Sequence, residues 1–258
     1  MTVGEFAGKT AYVTGVSGEG SGRSAAIAFA RGGANVALVG HADSEGAAET
    51  ADLVTEAGAE VLRLTADLGD PDQARRSVKD TVSHFGRLDC AFNNVGVVGD
   101  HAGIAECSLD NWQQIIGLNL TGVFVSMKYQ IRQMLDQGGG AIVNTSSIAG
   151  ERGLPGQAAY AVSKHGLIGL TRSACADYAA KGVRVNTVAP GSFWSSGFRL
   201  WLETEGDPDS LDWVVAQHPI GRIGEAREIA DVVVWLCSDA ASFVAGQVIP
   251  VDGGWTAT

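Results

Sequence analysis

The 258-residue chain is short of positive charge and of long apolar runs. Eighteen lysines and arginines stand against 29 acidic residues, a formal net charge of −11, whereas nucleic-acid and anionic-membrane surfaces need clustered cations. No apolar run approaches the ~18 residues of a membrane span. The first ten residues, MTVGEFAGKT, lack the apolar core of a signal peptide. We therefore expect a cytoplasmic protein whose partners are neither nucleic acids nor membranes.

Metal-binding and disulfide patterns are also missing. Cys90, Cys107, Cys175 and Cys237 lie far apart and form no CxxC pair, which favours free thiols over a metal site or a disulfide framework. The five histidines form no HExxH motif or comparable ligand spacing. We predict no metal site.

Short apolar runs alternate with longer stretches whose apolar residues fall at helical spacing. This alternation predicts an α/β fold whose parallel sheet is covered on both faces. No linker or internal repeat divides the chain, so we expect one doubly wound domain over residues 1–258, a Rossmann fold. The predicted strands are 9–14, 35–40, 60–65, 88–93, 140–146, 183–189 and 246–251.

The segment TGVSGEGSGR (14–23) follows the first predicted strand and opens the first predicted helix. Glycines allow the backbone to approach a phosphate closely, and a helix N-terminus offers free N–H groups with a partial positive charge. An ordinary strand-to-helix turn explains such a loop equally well when it is taken alone. Its place after the first strand favours a site for a dinucleotide pyrophosphate.

Two polar residues, Asp67 and Asn93, follow further predicted strands. Ligands of open parallel sheets bind at this carboxyl edge of the strands. A single Asp or Asn at a strand end is usually a turn or helix cap, so the shared edge is the informative feature.

Ser147 ends a predicted strand, and Tyr160 and Lys164 lie four residues apart at the start of a helix. That spacing puts the phenol and the ammonium on one helix face. Lowering a tyrosine pKa from ~10 to ~7 requires about 4 kcal/mol. One ammonium at ~5 Å supplies roughly 3 kcal/mol at an effective dielectric constant of ~20. Tyr160 is therefore a candidate acid or base, and Ser147 a candidate hydrogen-bond donor to the substrate oxygen.

The ordered set of motifs resembles the short-chain dehydrogenase/reductase family over essentially the full chain. The matching segments are the glycine loop at 14–22, DL at 67–68, NNVG at 93–96, LNLTG at 118–122, Ser147, YAVSK at 160–164, VNTVAPG at 185–191 and GQVIPVDGG at 246–254.

The resemblance implies interconversion of a secondary alcohol and a ketone with NAD(P)(H). It implies that Asn119 joins Ser147, Tyr160 and Lys164 as the fourth catalytic residue, in a helix arranged to hold a water that links Lys164 to solvent. It also implies a cofactor site formed by Gly15, Ser17, Gly20, Ser21, Gly22, Gly40, His41, Asp67, Leu68, Asn93, Val95, Gly96, Tyr160, Lys164, Pro190, Gly191, Phe193 and Ser195.

Two departures from the family pattern bear on the cofactor. The glycine loop has one extra residue, so we take Gly20 and Gly22 as its second and third glycines. Gly40 and His41 stand where NAD-using members carry an acid. Because His41 is a poor substitute for a cation and Glu19 would repel a 2′-phosphate, we expect a modest preference for NAD(H).

The segment at about 192–220 corresponds to the family's mobile substrate lid. Its aromatic residues favour an apolar or aromatic ketone or alcohol as the substrate, although each ring can equally pack onto the body or onto a neighbouring subunit. The predicted substrate residues are Ser147, Tyr160, Phe193, Trp194, Phe198 and Trp201.

Two other functions remain as alternatives. A non-catalytic dinucleotide-binding module is expected to have lost the Tyr or the Lys, and both are present. A 3-oxoacyl thioester reductase of lipid synthesis is disfavoured by the aromatic lid and by the absence of a basic patch for a carrier protein. The family resemblance further predicts a homotetramer.

Overall fold

The protein is described by a computed structural model covering residues 4–41 and 44–257. Its strands are Thr10–Thr14 (β1), Asn35–Gly40 (β2), Val61–Thr65 (β3), Cys90–Asn93 (β4), Gly140–Thr145 (β5), Val183–Pro190 (β6), Phe193–Trp194 (β7), Gly224–Glu225 (β8) and Val248–Val251 (β9). Seven of these strands form one parallel sheet in the order β3-β2-β1-β4-β5-β6-β9, and the other two, β7 and β8, form a small separate sheet.

Helices cover both faces of the large sheet. One core contains side chains of α1, α2 and α9, and the other contains side chains of α3, α5 and α6. The α-helices are Ser21–Arg31 (α1), Glu45–Glu56 (α2), Pro71–Phe85 (α3), Leu109–Ile116 (α4), Val123–Asp136 (α5), Ala158–Tyr178 (α6), Ser196–Thr204 (α7), Ser210–Ala216 (α8) and Ala226–Cys237 (α9). This confirms the predicted doubly wound α/β fold.

The central strands are apolar because side chains on both of their faces are buried. In β1, Ala11 and Val13 belong to the core on the α1 side, whereas Tyr12 belongs to the opposite core. This is the two-residue alternation of an extended strand. The Tyr12 hydroxyl lies 2.8 Å from Ser77 Oγ, and burial raises the pKa of Tyr12 to about 12.

The order in which the chain adds strands reverses between β1 and β4, so the connections after these two strands run to opposite sides. Loops following neighbouring strands separate at such a point and leave a crevice at the carboxyl edge, where open α/β sheets bind ligands. The glycine loop follows β1, and the NNVG motif begins at Asn93, the last residue of β4, so the fold brings both to this crevice.

Two local features were not predicted from the sequence. The pair β7 and β8 places a short second sheet directly after the end of β6. A π-helix, Gly117–Gly122, interrupts the passage from α4 into α5. In that π-helix a Cβ at Gly122 would collide with the carbonyl oxygen of Leu68, so the close packing there requires glycine. π-Helical turns are frequent at functional sites.

Within the part of the chain that the structure describes, no helix combines the length and the apolar character needed to cross a lipid bilayer.

Candidate active site

The glycine loop packs so tightly that side chains are excluded at two of its glycines. Gly15 has φ +72°, and a Cβ there would lie 2.8 Å from Asn94 Nδ2. A Cβ at Gly22 would collide with the carbonyl oxygen of Gly15. At Gly20, which precedes α1, no side chain caps the helix. The first N–H groups of α1 are therefore available to an anion.

Asn94 was not singled out from the sequence, yet its amide connects the glycine loop to β5. Its Oδ1 accepts hydrogen bonds from Ser21 Oγ (2.7 Å) and Thr145 Oγ1 (3.2 Å). Its Nδ2 donates to the carbonyl oxygen of Gly15 over 3.4 Å. The only signal for it in the sequence is its place as the second Asn of the NNVG motif.

The end of β4 is joined to β1 through a buried hydroxyl. Thr14 Oγ1 accepts hydrogen bonds from the backbone N–H groups of Asn94 (2.8 Å) and Val95 (3.0 Å). Val95 is thereby held beside the glycine loop. Thr14 was quoted as the first residue of the loop motif, but no role was assigned to it.

Two predicted cofactor residues have side chains in the core rather than in the crevice. The Asn93 amide is buried and pairs with Gln130 through hydrogen bonds of 3.0 and 2.9 Å, and it also donates to Asn144. Leu68 is 4% exposed and packs in the core on the α3 side. Only the backbones of Asn93 and Leu68 remain available to a ligand, because their side chains are directed inwards.

Asn119, Lys164 and Gly96 meet beside the π-helix. A Cβ on Gly96 would lie 3.1 Å from Lys164 Nζ and 3.4 Å from Asn119 Oδ1. The Asn119 side chain is buried and pairs with the backbone of Val97, accepting over 2.9 Å and donating over 2.8 Å. Gly96 thus leaves room for the lysine and the amide to lie next to the crevice.

Lys164 is 3% exposed, and its Nζ donates to the carbonyl oxygen of Thr145 over 2.8 Å. Loss of water around the ammonium lowers the pKa of Lys164 to about 8. At pH 7 Lys164 is therefore still charged in most molecules, although burial disfavours the charged form.

Tyr160 lies one helical turn from Lys164, whose Nζ is 5.5 Å from the centre of the phenol ring. Desolvation raises the pKa of Tyr160 above its usual value, and a hydrogen bond from Ser147 opposes that rise. The lowering of the Tyr160 pKa that the spacing to Lys164 predicts is therefore not seen in this structure. The same burial that surrounds the phenol also disfavours the charge on the lysine.

Asp67 and His41 meet beyond the end of β2. His41 Nδ1 lies 3.9 Å from Asp67 Oδ1, and both side chains are well exposed. Gly40 lines a neighbouring recess of about 250 Å³ between β2, β3 and α2, together with Arg63. The carbonyl oxygen of Ser17 lies so close to α2 that a Cβ at Gly46 would collide with it.

The loop that follows β6 is hydrogen-bonded to the side chain of His218. Nε2 of this buried imidazole accepts a hydrogen bond from Ser192 N–H (3.1 Å), and Nδ1 donates to the Val214 carbonyl oxygen (2.8 Å). A Cβ at Gly191 would lie 2.9 Å from the same Nε2. His218 thus fixes the backbone just after Pro190.

Three of the predicted substrate residues form an aromatic cluster, defined here as Trp194, Phe198 and Trp201. The Trp194 and Phe198 rings meet edge to face at 5.5 Å, and Phe198 stacks on Trp201 at 5.8 Å. Phe193 instead packs against the core. The reason is that Phe193 and Trp194 are successive residues of β7 and point to opposite faces. Ser195 caps α7 by accepting from Phe198 N–H over 3.1 Å.

The described residues fit a nicotinamide dinucleotide. Gly15 and Gly22 of the loop leave no room for a Cβ, the first turn of α1 is uncapped, and both features lie at the crevice of the sheet. Backbone N–H groups at an uncapped helix start are the usual partners of a pyrophosphate.

Comparison with known proteins agrees with this geometry. The family described as enoyl-(acyl carrier protein) reductase matches residues 15–256. The chain is 39% identical over 252 residues to cyclohexanol dehydrogenase of Acinetobacter sp. (strain SE19), covering 98% of this chain and 96% of that protein. The chain belongs to the short-chain dehydrogenase/reductase family.

Two other curated relatives are similarly close. Levodione reductase of Leifsonia aquatica is 38% identical over 257 residues, which cover 98% of this chain and 96% of the relative. The 3-oxoacyl-[acyl-carrier-protein] reductase FabG of Staphylococcus aureus (strain Mu50 / ATCC 700699) is 38% identical over 247 residues, which cover 95% of this chain and 97% of the relative.

Solved structures share the whole fold of this family member. Levodione reductase superposes with a TM-score of 0.93 at 36% identity, covering 98% of this chain and 99% of the other. Carveol dehydrogenase from Mycobacterium avium in complex with NAD superposes with a TM-score of 0.91 at 31% identity, covering 99% of this chain and 100% of the other. A protein from Agrobacterium tumefaciens with bound NADP superposes with a TM-score of 0.89 at 30% identity, covering 98% of each chain. This family member is an NAD(P)-dependent oxidoreductase that interconverts secondary alcohols and ketones.

The buried ammonium of Lys164 predicts a pH-dependent change in stability. The folded-state pKa of about 8 lies below the ordinary 10.5, so below pH 8 the folded protein bears the desolvated charge. Between these values the unfolded chain binds more protons, and stability rises with pH. Lys164→Met should therefore stabilise the fold at pH 7 by about 2–3 kcal/mol, as measured by urea unfolding at one fixed protein concentration.

The difference in the free energy of unfolding between Lys164→Met and the unmodified protein should become smaller between pH 8 and 10. Lys79→Met, on the exposed side of α3, is the matched control and should change stability by less than about 0.5 kcal/mol. An advantage of Lys164→Met that stays constant across this range would contradict the pKa shift.

Proposed function

We propose that the enzyme acts on small apolar ketones and alcohols, with Ser147, Tyr160, Lys164 and Asn119 as its catalytic residues. The observation that carries the proposal is the meeting of these side chains with Gly96 at the crevice. A bound nicotinamide dinucleotide supplies or accepts a hydride there.

In this proposal, Tyr160 exchanges a proton with the substrate oxygen. Its phenol is protonated at neutral pH, and desolvation, which raises its pKa further, favours that state, so the phenol can donate to a carbonyl oxygen during reduction. Ser147 donates a hydrogen bond to the same oxygen and holds it against the phenol. In oxidation the proton moves in the opposite direction.

Lys164 has two roles in the proposal. Its ammonium, held on the carbonyl oxygen of Thr145, favours the phenolate that forms as Tyr160 gives up its proton. The same group would donate a hydrogen bond to the nicotinamide ribose. Asn119 lies within reach of Gly96 and Lys164, in the π-helix, and would position a water that returns a proton to the lysine.

The substrate proposal rests on the aromatic cluster, whose three rings offer an apolar surface but no carboxylate or ammonium to a ligand. The names of two relatives, cyclohexanol dehydrogenase and levodione reductase, support a cyclic alcohol or ketone. We therefore propose cyclohexanol, cyclohexanone and related six-membered rings as the first compounds to assay.

Reduction of a carrier-bound 3-oxoacyl thioester remains the second candidate because of the similarity to FabG. The segment next to the aromatic cluster argues against it, since it carries Glu203, Glu205, Asp207, Asp209 and Asp212. Acidic side chains there would repel phosphates of a carrier or a coenzyme. An assay with acetoacetyl-coenzyme A alongside cyclohexanone separates the two candidates.

Tyr160→Phe should abolish turnover while leaving NADH binding nearly unchanged, because it removes only the transferable proton. Lys164→Ala should weaken both turnover and binding. Turnover is followed at 340 nm and binding by titration of NADH fluorescence. Retained activity in Tyr160→Phe would refute the proposed acid, and a loss confined to either turnover or binding in Lys164→Ala would refute the shared role.

We also propose a modest preference for NAD(H). The carboxylate of Asp67 lies beside His41, where a 2′-phosphate would need a cation, and an imidazole cannot bind a phosphate through two parallel N–H groups as an arginine does. Glu19 no longer contributes to this preference, because its carboxylate lies 3.8 Å from Arg199 on α7. Arg63, in the recess beside Gly40, is the residue that would favour NADP(H).

The unmodified protein should have a higher kcat/KM with NADH than with NADPH. Gly40→Asp should increase that ratio further, because the new carboxylate would bind the ribose hydroxyls and repel a 2′-phosphate. Steady-state rates with both cofactors measure it. A higher kcat/KM with NADPH would show the preference to be wrong, and loss of NADPH activity in Arg63→Ala would identify the cause.

The proposed assembly is a cytoplasmic homotetramer formed partly through α5 and α6. Phe124 and Val162 are 48% and 46% exposed, and a Cβ at Gly169 would meet open space. Close helix packing between subunits would bury these apolar groups. The lid assigned to about 192–220 would close over the substrate within each subunit.

Light scattering at micromolar concentration should give about four times the 26.7 kDa mass of the chain. Val162→Glu should lower that mass, because it would bury a charge at the interface. Thr55→Glu, on the exposed side of α2, is the control and should leave the mass unchanged. A stable monomer in the unmodified protein would refute the proposal.

A further inference from the structure

The first turn of α7 is fastened to the glycine loop by two reciprocal hydrogen bonds. Glu19 N–H donates to Ser196 Oγ over 3.0 Å, and Ser196 N–H donates to the Glu19 carbonyl oxygen over 3.0 Å. A Cβ at Gly18 would lie 2.9 Å from Ser196 Oγ, so the loop and the helix are in direct contact. These bonds join segments 177 residues apart in the sequence.

A second set of contacts extends from the loop to the aromatic cluster. Arg199 Nε lies 3.8 Å from Glu19 Oε2. The guanidinium carbon of Arg199 also lies 4.8 Å from the centre of the Trp194 ring. Such a guanidinium is attracted to the face of the indole. One arginine therefore touches both the glycine loop and a proposed wall of the substrate site.

Glu19 lies in the part of the loop that is longer than the family pattern, between Gly15 and Gly20. This part of the loop brings both a carboxylate and a backbone N–H and C=O pair to α7. The extra length thus has a structural consequence that the spacing of the glycines did not reveal.

We propose that Glu19, Ser196 and Arg199 form a latch that couples dinucleotide binding at the glycine loop to the placement of Trp194 over the substrate. All three are positioning residues, and Arg199 is in addition a determinant of substrate specificity because it orients the indole. This proposal rests on the proposed function of the crevice, and it adds a link between the dinucleotide site and the substrate site.

The physical basis of the coupling is shared ordering. A dinucleotide held by the glycine loop orders that loop, and the latch transmits the order to α7. A substrate that then packs against Trp194 binds to a side chain that is already ordered, so its binding costs less conformational entropy. By reciprocity, a bound substrate would strengthen dinucleotide binding by the same factor.

The ion pair within the latch is expected to have a modest effect by itself. The side chains of Arg199 and Glu19 are 53% and 65% exposed, and exposed pairs change an equilibrium by about 1.5- to 5-fold. The two hydrogen bonds between Glu19 and Ser196, which use only the backbone of Glu19, remain when the charges are removed. Charge variants should therefore loosen α7 without releasing it.

Hydrogen exchange of the peptide covering 196–204, with and without NADH, tests the latch independently of any substrate. NADH should slow exchange in the unmodified protein. Glu19→Gln and Arg199→Gln should each reduce that protection about 1.5- to 5-fold, and the double variant should lose no more than the larger single loss. Arg199→Lys, which keeps the charge, should restore most of the protection.

Arg227→Gln is the matched control, because Arg227 forms an exposed ion pair with Asp231 on α9 at 3.3 Å. It should leave the exchange of α7 unchanged. In kinetics with cyclohexanone, Arg199→Gln should raise KM more than it lowers kcat, and the pH profile of kcat should not move, since Tyr160 and Lys164 are untouched.

Equal NADH protection of α7 in all variants would overturn the latch, as would fully additive losses in the double variant. Failure of both NADH and NADPH to bind the unmodified protein would overturn the proposed function of the crevice, and with it the coupling. Normal NADH binding with no effect on α7 would overturn the latch alone.

Discussion

The site is organised around one hydrogen bond, from Nζ of Lys164 to the carbonyl oxygen of Thr145. This bond fixes a buried ammonium between α6 and the end of β5, and burial alone would disfavour a charge there. Gly96 lies between this ammonium and the amide of Asn119, since a Cβ on Gly96 would be 3.1 Å from the one and 3.4 Å from the other. A lysine with its stem free in solvent would adopt many rotamers and could not define a position for a phenol or a ribose.

The same threonine connects the lysine to the cofactor side of the crevice. Thr145 Oγ1 donates to Asn94 Oδ1, and the Asn94 amide also bonds Ser21 and the carbonyl oxygen of Gly15. The proposed catalytic centre and the glycine loop are therefore parts of one hydrogen-bonded unit at the ends of three neighbouring strands. A shift of β5 relative to β1 would disturb both, which explains why the sheet itself has to be rigid.

Much of the fold could be predicted because strands buried on both faces produce continuous apolar runs. The second predicted strand agrees with β2, and the other strands of the large sheet differ only at their ends. The site was harder to predict at the level of single residues. Asn93 and Asn94 are adjacent, yet one amide enters the core and the other reaches the glycine loop, because successive side chains at a strand end point in different directions. The composition of the motif does not distinguish them.

The sequence by itself determined the fold class, the order of the motifs along the sheet edge and the residue types that family membership requires. Tertiary structure decided the properties that depend on separation in space. The pKa of Tyr160 is raised because desolvation depends on what surrounds the phenol, which the spacing to Lys164 does not contain. Glu19 faces Arg199 because the chain returns to the glycine loop only after β6, and no local pattern records that return.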